Sequence, residues 1–281
     1  MEFHVFAAVL AAAALHAGWN AFLKLRLEPL LAMTLIMGFA GLVALPALIV
    51  LGLPPRSSWP WLATSIALHL AYSIVLTSAY ARADMGQVYP IARGGAPLMT
   101  ALASALLLQE PVSALQLFGI ASLGLGVAAM SILGRRSGGR VDPLAIGLAL
   151  LTAASICGYT LSDGLGARAS GSPHAYTAAL FVADGITLSA YAAWRRGGKK
   201  LREALGYWRQ GVVGGTMSLA SYWIAIWAMT IAPIALVAAL RESSVLFAVA
   251  IAVIVVKEPL QWTRALAAVV ILFGLVLVRL G

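Results

Sequence analysis

Arg93-Gly94-Gly95-Ala96-Pro97-Leu98, closed downstream by Glu110-Pro111, decides the architecture, because the chain writes this pattern twice. At an offset of 148 residues stand Arg241, Leu246, Glu258 and Pro259, and Gly126 recurs as Gly274. Between each Arg and its Glu-Pro lies a nearly charge-free run, Gly94–Gln109 and Ser243–Val256, with Glu242 adjoining the second Arg. The front of each half repeats as well. Ala13, Ala14, Gly18 and Trp19 correspond to Ala153, Ala154, Gly158 and Tyr159 at an offset of 140, and a longer loop at Arg195–Gly206 accounts for the change of register. A duplicated apolar unit is the mark of a transporter whose substrate sits between its halves.

Composition sets the solvent. Apolar residues make up 62% of the chain and charged residues only 10%, with a mean hydropathy of +0.93. About a quarter charged is usual for a water-soluble domain, so this surface faces lipid. The single Cys157 excludes a disulfide framework or a cysteine metal site. The net charge of +9 comes from short loops between apolar segments. A cytoplasmic membrane face explains it better than nucleic acid does. The apolar N-terminus lacks a basic leader and reads as a retained first span.

A span needs roughly 20 apolar residues, and ten segments qualify: 3–23, 30–51, 59–81, 86–108, 114–133, 144–165, 173–194, 207–231, 234–256 and 262–280. Prolines mark their starts, where a missing N–H costs nothing. The expected fold is therefore an all-α integral membrane protein of ten transmembrane helices. Residues 1–136 form a first five-helix repeat, 137–143 a linker and 144–281 a second repeat. Five is odd, so the halves enter from opposite sides and the repeat is inverted around a central cavity. Loops after spans 1, 3, 5, 7 and 9 hold fourteen Lys and Arg, against Arg56, Arg168 and Arg279 on the other side. That bias places those loops in the cytoplasm and both termini in the periplasm of a bacterial inner membrane.

Phosphate loops, zinc-type His pairs, serine elbows and paired catalytic carboxylates are not legible, so no enzyme activity, metal or cofactor is expected. What remains is polar groups inside spans. Arg93 and Arg241 sit at similar depth in spans 4 and 9, and a cation there costs about 2.5–3.5 kcal/mol unless it faces a cavity or a partner. Each can hold a substrate carboxylate, latch a gate, or serve structurally, Arg241 by pairing with Glu242. Span 3 places Ser65, His69, Tyr72, Ser73, Thr77 and Tyr80 on one helical stripe. Span 8 supplies Ser218, Ser221, Tyr222, Trp223 and Trp227. Together with Trp19, Asn20, Tyr89, Tyr159 and Ser244, these suit a chamber of π faces and hydroxyls; the plainer alternative is helix–helix glue. Asp184 and Glu242 are candidates for proton coupling, while His16 reads as a satisfied interior histidine. Glu110 and Glu258 read as caps or interface pairs. Gly119, Ser122, Gly126 and Gly274 read as small packing faces.

Tyr89-Pro90-Ile91-Ala92-Arg93-Gly94-Gly95-Ala96-Pro97 with Glu110-Pro111 resembles the fourth-helix motif of the drug/metabolite transporter superfamily, EamA-like branch, and Leu240–Val245 with Glu258-Pro259 is similar to its second-half partner. The resemblance implies a basket in which spans 1–4 and 6–9 surround the cavity and spans 5 and 10 buttress it. It also implies transport of small organic solutes, and the motifs and aromatic content resemble bacterial aromatic amino-acid exporters of that branch. The function expected is alternating-access export of small metabolites, amino acids with aromatic or bulky apolar side chains first among them. The expected partners are a small-molecule substrate and the lipid bilayer, with no nucleic acid, and the chain works as a monomer. The alternatives are a proton-coupled exporter of drugs or lipophilic cations and, from another class, a membrane-embedded enzyme or receptor.

Overall fold

A computed structural model describes residues 1–22, 27–80, 82, 85–133, 142–254, 257 and 262–281, without the side chains at 21, 22, 80, 85–87, 89, 90 and 130–133. Much of the basic loop set (Lys24, Arg26, Arg135, Arg136 and Arg140), most of the 137–143 linker and Glu258-Pro259 thus lie outside the described residues. The described chain is helical: α1 (Phe3–Phe22), α2 (Pro29–Leu51), α3 (Trp59–Tyr80), α4 (Met85–Ala103), α5 (Ala114–Leu133), α6 (Pro143–Ser170), α7 (Pro173–Ala204), α8 (Trp208–Ile231), α9 (Ile234–Arg241), α10 (Ser244–Ile254) and α11 (Trp262–Leu280). Eight stretches among the described residues are long and apolar enough to cross a membrane. One of them, Pro173–Ile231, runs over both α7 and α8, and another, Ile234–Ile254, over α9 and α10. This is a multi-pass membrane protein.

Local chemistry explains where the helices start and stop. Pro29, Pro143 and Pro173 open α2, α6 and α7, and the Asp142 carboxylate accepts the Leu144 N–H at 3.0 Å to cap α6. Gly171, at φ 59°, ends α6 in the left-handed conformation. Gly197, at φ 80° and ψ 154°, interrupts α7 beyond Arg196, and Leu201 in the segment after it packs beside Leu30 and Leu188. α6 runs past the expected end at 165 to Ser170, which puts Arg168 on its last turn instead of in a loop.

The expected ninth span, 234–256, is not one helix. α9 stops at Arg241 and α10 begins at Ser244. Between them, Glu242, Ser243, Val245 and Leu246 donate their N–H groups to Ala239, Leu240, Glu242 and Ser243 at 2.9–3.1 Å, each three residues back. The Ser243 hydroxyl donates to the Leu240 carbonyl at 2.7 Å. A side chain that competes for a helical carbonyl, together with tightened three-residue bonds, breaks the ladder without glycine or proline. Arg241 is left at the carbonyl end of α9, where a cation is favoured.

The core follows from that break. Every residue from Ile234 to Leu240 is buried, as expected for a helix apolar on all sides. α2 packs on α7, α3 on α6, α1 on α8, α4 on α5 and α6, and α5 on α11. In lipid, such contacts depend on close approach of small residues. At the α5–α11 seam, a Cβ on Gly274 would stand 2.8 Å from the Gly119 carbonyl oxygen, and one on Gly119 2.8 Å from the Val278 nitrogen. Gly274→Leu is expected to lower the thermal midpoint in detergent by several degrees, at an overpacking cost of about 1–3 kcal/mol. An unchanged midpoint would contradict this tight seam.

Candidate functional site: a polar chamber between the helices

A chamber of about 120 Å³ lies among α1, α2, α3, α4, α6, α7, α8 and α9, and no described residue of α5, α10 or α11 lines it. Several intramembrane polar groups thus face one compartment, where the cost of desolvating them is lowered. Of the residues expected there, Trp19, Asn20, His69, Tyr72, Ser73, Arg93, Tyr159, Tyr222, Arg241 and Asp184 line it. The side chains of Tyr80 and Tyr89 lie outside the described residues.

The other described candidates lie outside the lining. Trp223 and Trp227 do not line the chamber. Ser218 and Tyr222, four residues apart on α8, take the inward face, which turns the tryptophans elsewhere. Trp223 donates its indole N–H to His174 Nδ1 at 2.7 Å, and Trp227 sits near His4 with 6.3 Å between ring centroids. Ser244 is buried at the start of α10 and is also absent from the lining. Glu242 does not form its ion pair with its neighbour Arg241. It reaches across to α4, where its Oε2 lies 3.2 Å from Arg93 Nε, both residues being nearly sealed from solvent.

The two arginines therefore differ. Arg93 is anchored by Glu242 and by His16, whose Nε2 lies 3.2 Å from Arg93 Nη2. Because guanidinium only donates, that ring nitrogen presents its lone pair. The Arg241 guanidinium instead lies 4.6 Å from the centroid of the Tyr222 ring. Among the described residues no carboxylate is within ion-pair distance of Arg241, and its buried Nε has no hydrogen-bond partner. Cation–π contact compensates only partly for lost hydration.

Beside Arg241 is an acidic and aromatic cluster. His69 Nδ1 is 2.6 Å from Asp184 Oδ2, and Nε2 is 3.9 Å from Asp163 Oδ2. Asp163 has no exposed surface; it accepts the Tyr222 hydroxyl at 2.5 Å and the Tyr176 hydroxyl at 3.1 Å. The rings of His69 and Tyr159 are 4.2 Å apart, and those of Tyr72 and Tyr159 meet edge-on at 5.9 Å. His16, expected as a satisfied interior histidine, is held by Trp19 and Arg93, while Asp163 and Tyr176 were not among the site residues expected from the sequence. Asp163 lies one turn beyond Tyr159 on α6, a spacing that places it on the same face. Met33, Met37 and Phe181 complete the lining with apolar surface.

Along α6 the order Tyr159, Asp163, Arg168 leads from the chamber to one end of the bundle. There Arg168 Nη2 lies 2.7 Å from Glu110 Oε1, and Arg168 also donates to the carbonyls of Met229 and Ala232 at 2.8 and 3.0 Å. Glu110 Oε2 accepts the Ser104 hydroxyl at 2.5 Å and the Ile234 N–H at 2.8 Å. One ion pair thus ties together the end of α4, α6, α8 and the start of α9. At the opposite end, Arg196 forms a bidentate pair with Glu28, joining α7 to the start of α2.

Fold and chamber together define a helical, multi-pass membrane protein that encloses a polar compartment. Residues 143–280 match the sequence model of the EamA-like transporter family. Twenty-five chains of solved structures match the fold. One, titled only as the crystal structure of a protein, superposes with a TM-score of 0.79 over 100% of this chain and 99% of its own, at 18% identity, so the likeness is one of fold. No curated protein matches at a significant level.

Proposed function

We propose that the protein is a secondary transporter that exports amino acids, aromatic or bulky apolar ones first, across a bacterial inner membrane by alternating access. The observation that carries this reading is Arg241, a chamber cation without a carboxylate partner among the described residues, set beside the rings of Tyr222 and Tyr159. A substrate carboxylate supplies the missing charge, the ammonium group meets the acidic side of the chamber, and the apolar side chain stacks on the rings. Arg93, already paired, shapes the wall.

The inverted-repeat reading is supported by the packing pairs. Exchanging the first five spans with the last five turns the α1–α8 pair into α6–α3 and leaves α2–α7 and α5–α11 unchanged. Sidedness follows the loop charges. The lining includes Met33 and Met37, early in α2, and Leu188, late in α7, so the chamber leans toward the basic side. The Glu110–Arg168 pair stands at the other end. In this reading the protein waits for cytoplasmic substrate, as one chain without a partner. Export of lipophilic cations is a weaker fit, because Arg241 lines the same chamber and repels a cation that brings no carboxylate of its own.

Liposome counterflow with a panel of labelled amino acids tests the proposal. Aromatic and bulky apolar amino acids are expected to exchange at least tenfold faster than glycine or lysine. A folded, reconstituted protein that exchanges none of the panel overturns the substrate class.

A further inference from the structure

His69 stands between two carboxylates on different helices. Its Nδ1 is 2.6 Å from Asp184 of α7, and its Nε2 faces Asp163 of α6 at 3.9 Å. A neutral imidazole has one N–H and one lone pair, so it can satisfy only one of the two acids as a donor. The imidazolium offers a donor to both. The acids are not equivalent. Asp163 is sealed and held by two tyrosine hydroxyls, whereas Asp184 lines the chamber. The other polar groups around the ring are Ser65 and Tyr72 on α3, Tyr159 on α6, Tyr222 on α8 and Arg241 on α9, the last turned onto the Tyr222 ring.

We infer that His69 and Asp184 are the binding site of a transported proton, and that this proton and the cationic end of the substrate compete for Asp184, which makes the protein a proton–substrate antiporter. The inference rests on the amino-acid reading above and adds its driving force. When the substrate ammonium reaches Asp184, the imidazolium loses its counter-charge and releases one proton to water in the chamber. After the substrate leaves on the far side, a proton from that compartment returns to the ring. One proton therefore enters for each zwitterion that leaves, and each cycle moves one positive charge inward. Asp163, sealed and held by the Tyr176 and Tyr222 hydroxyls, takes no part in the exchange. Its link to Arg241 runs through Tyr222, whose hydroxyl it accepts and whose face the guanidinium covers.

The test uses the purified full chain in liposomes loaded with L-phenylalanine and a trapped pH dye, with the membrane potential clamped. Phenylalanine efflux is expected to acidify the lumen with a ratio of one proton per molecule, and an acidic outside is expected to speed efflux at least tenfold. His69→Gln is expected to drive that ratio to zero for whatever phenylalanine it still moves, whereas wild type sets the ratio without reliance on any variant. Phenylalanine movement without protons in wild type, or a ratio of one in His69→Gln, overturns the proton site and leaves the amino-acid reading standing. Failure to move phenylalanine or any other amino acid of the panel overturns both.

Discussion

Arg241→Gln is expected to lower amino-acid counterflow about 100-fold or more while leaving the thermal midpoint unchanged or slightly raised. The two effects have opposite origins. Losing one partner of a desolvated, hydrogen-bonded charge pair costs about 2–5 kcal/mol, and each 1.4 kcal/mol is about tenfold in binding, so substrate recognition fails. Within the protein the same guanidinium lies on a tyrosine face and, among the described residues, has no carboxylate at ion-pair distance, so removing it relieves a desolvation cost. Arg241→Lys is expected to recover only part of the flux, because an ammonium keeps the charge and loses the planar fork that meets a carboxylate with two bonds. Counterflow measured beside thermal unfolding separates this from a structural role, in which both readings would fall together. Full flux in Arg241→Gln would sink the carboxylate assignment.

Glu242→Gln is expected to do the reverse and strike stability first. Its carboxylate is the counter-charge of Arg93, and both residues are buried, at 4% and 9% exposure. Breaking such a pair from one side costs about 3–5 kcal/mol, since the remaining ion keeps its desolvation cost without its partner. The double variant Arg93→Met/Glu242→Leu is expected to recover most of the lost midpoint, because an apolar pair of similar volume carries neither cost. Thermal unfolding of the two singles and the double decides it. Additive losses would show that the residues do not act as a pair.

Where the chain punctuates itself, the fold was readable. The segments 30–51, 114–133 and 262–280 fall on Pro29–Leu51, Ala114–Leu133 and Trp262–Leu280 to within a residue, because proline, glycine and interfacial tryptophan act locally. The gap between α9 and α10 was not readable. Ser243 and Ser244 are ordinary in an apolar helix, and the break depends on which carbonyl a hydroxyl takes. The chamber shows the same division. The stripe on α3 pointed inward because a polar face has nowhere else to go, and His69, Tyr72 and Ser73 are in the lining. On α8, two faces competed. Trp223 and Trp227 had the larger rings, yet Ser218 and Tyr222 took the interior, where Asp163 accepts the Tyr222 hydroxyl. Partner choice stayed hidden for the same reason. Glu242 adjoins Arg241 in the chain but pairs with Arg93, a preference set by the turn that divides the two short helices.

That turn also has a mechanical meaning. A continuous rod must rupture its own ladder to bend, whereas α9 and α10 are already two levers sharing a joint, and Arg241 is the last residue of the first lever. In the proposed cycle, the pull of a bound carboxylate acts at the fulcrum, so loading and tilting become a single event.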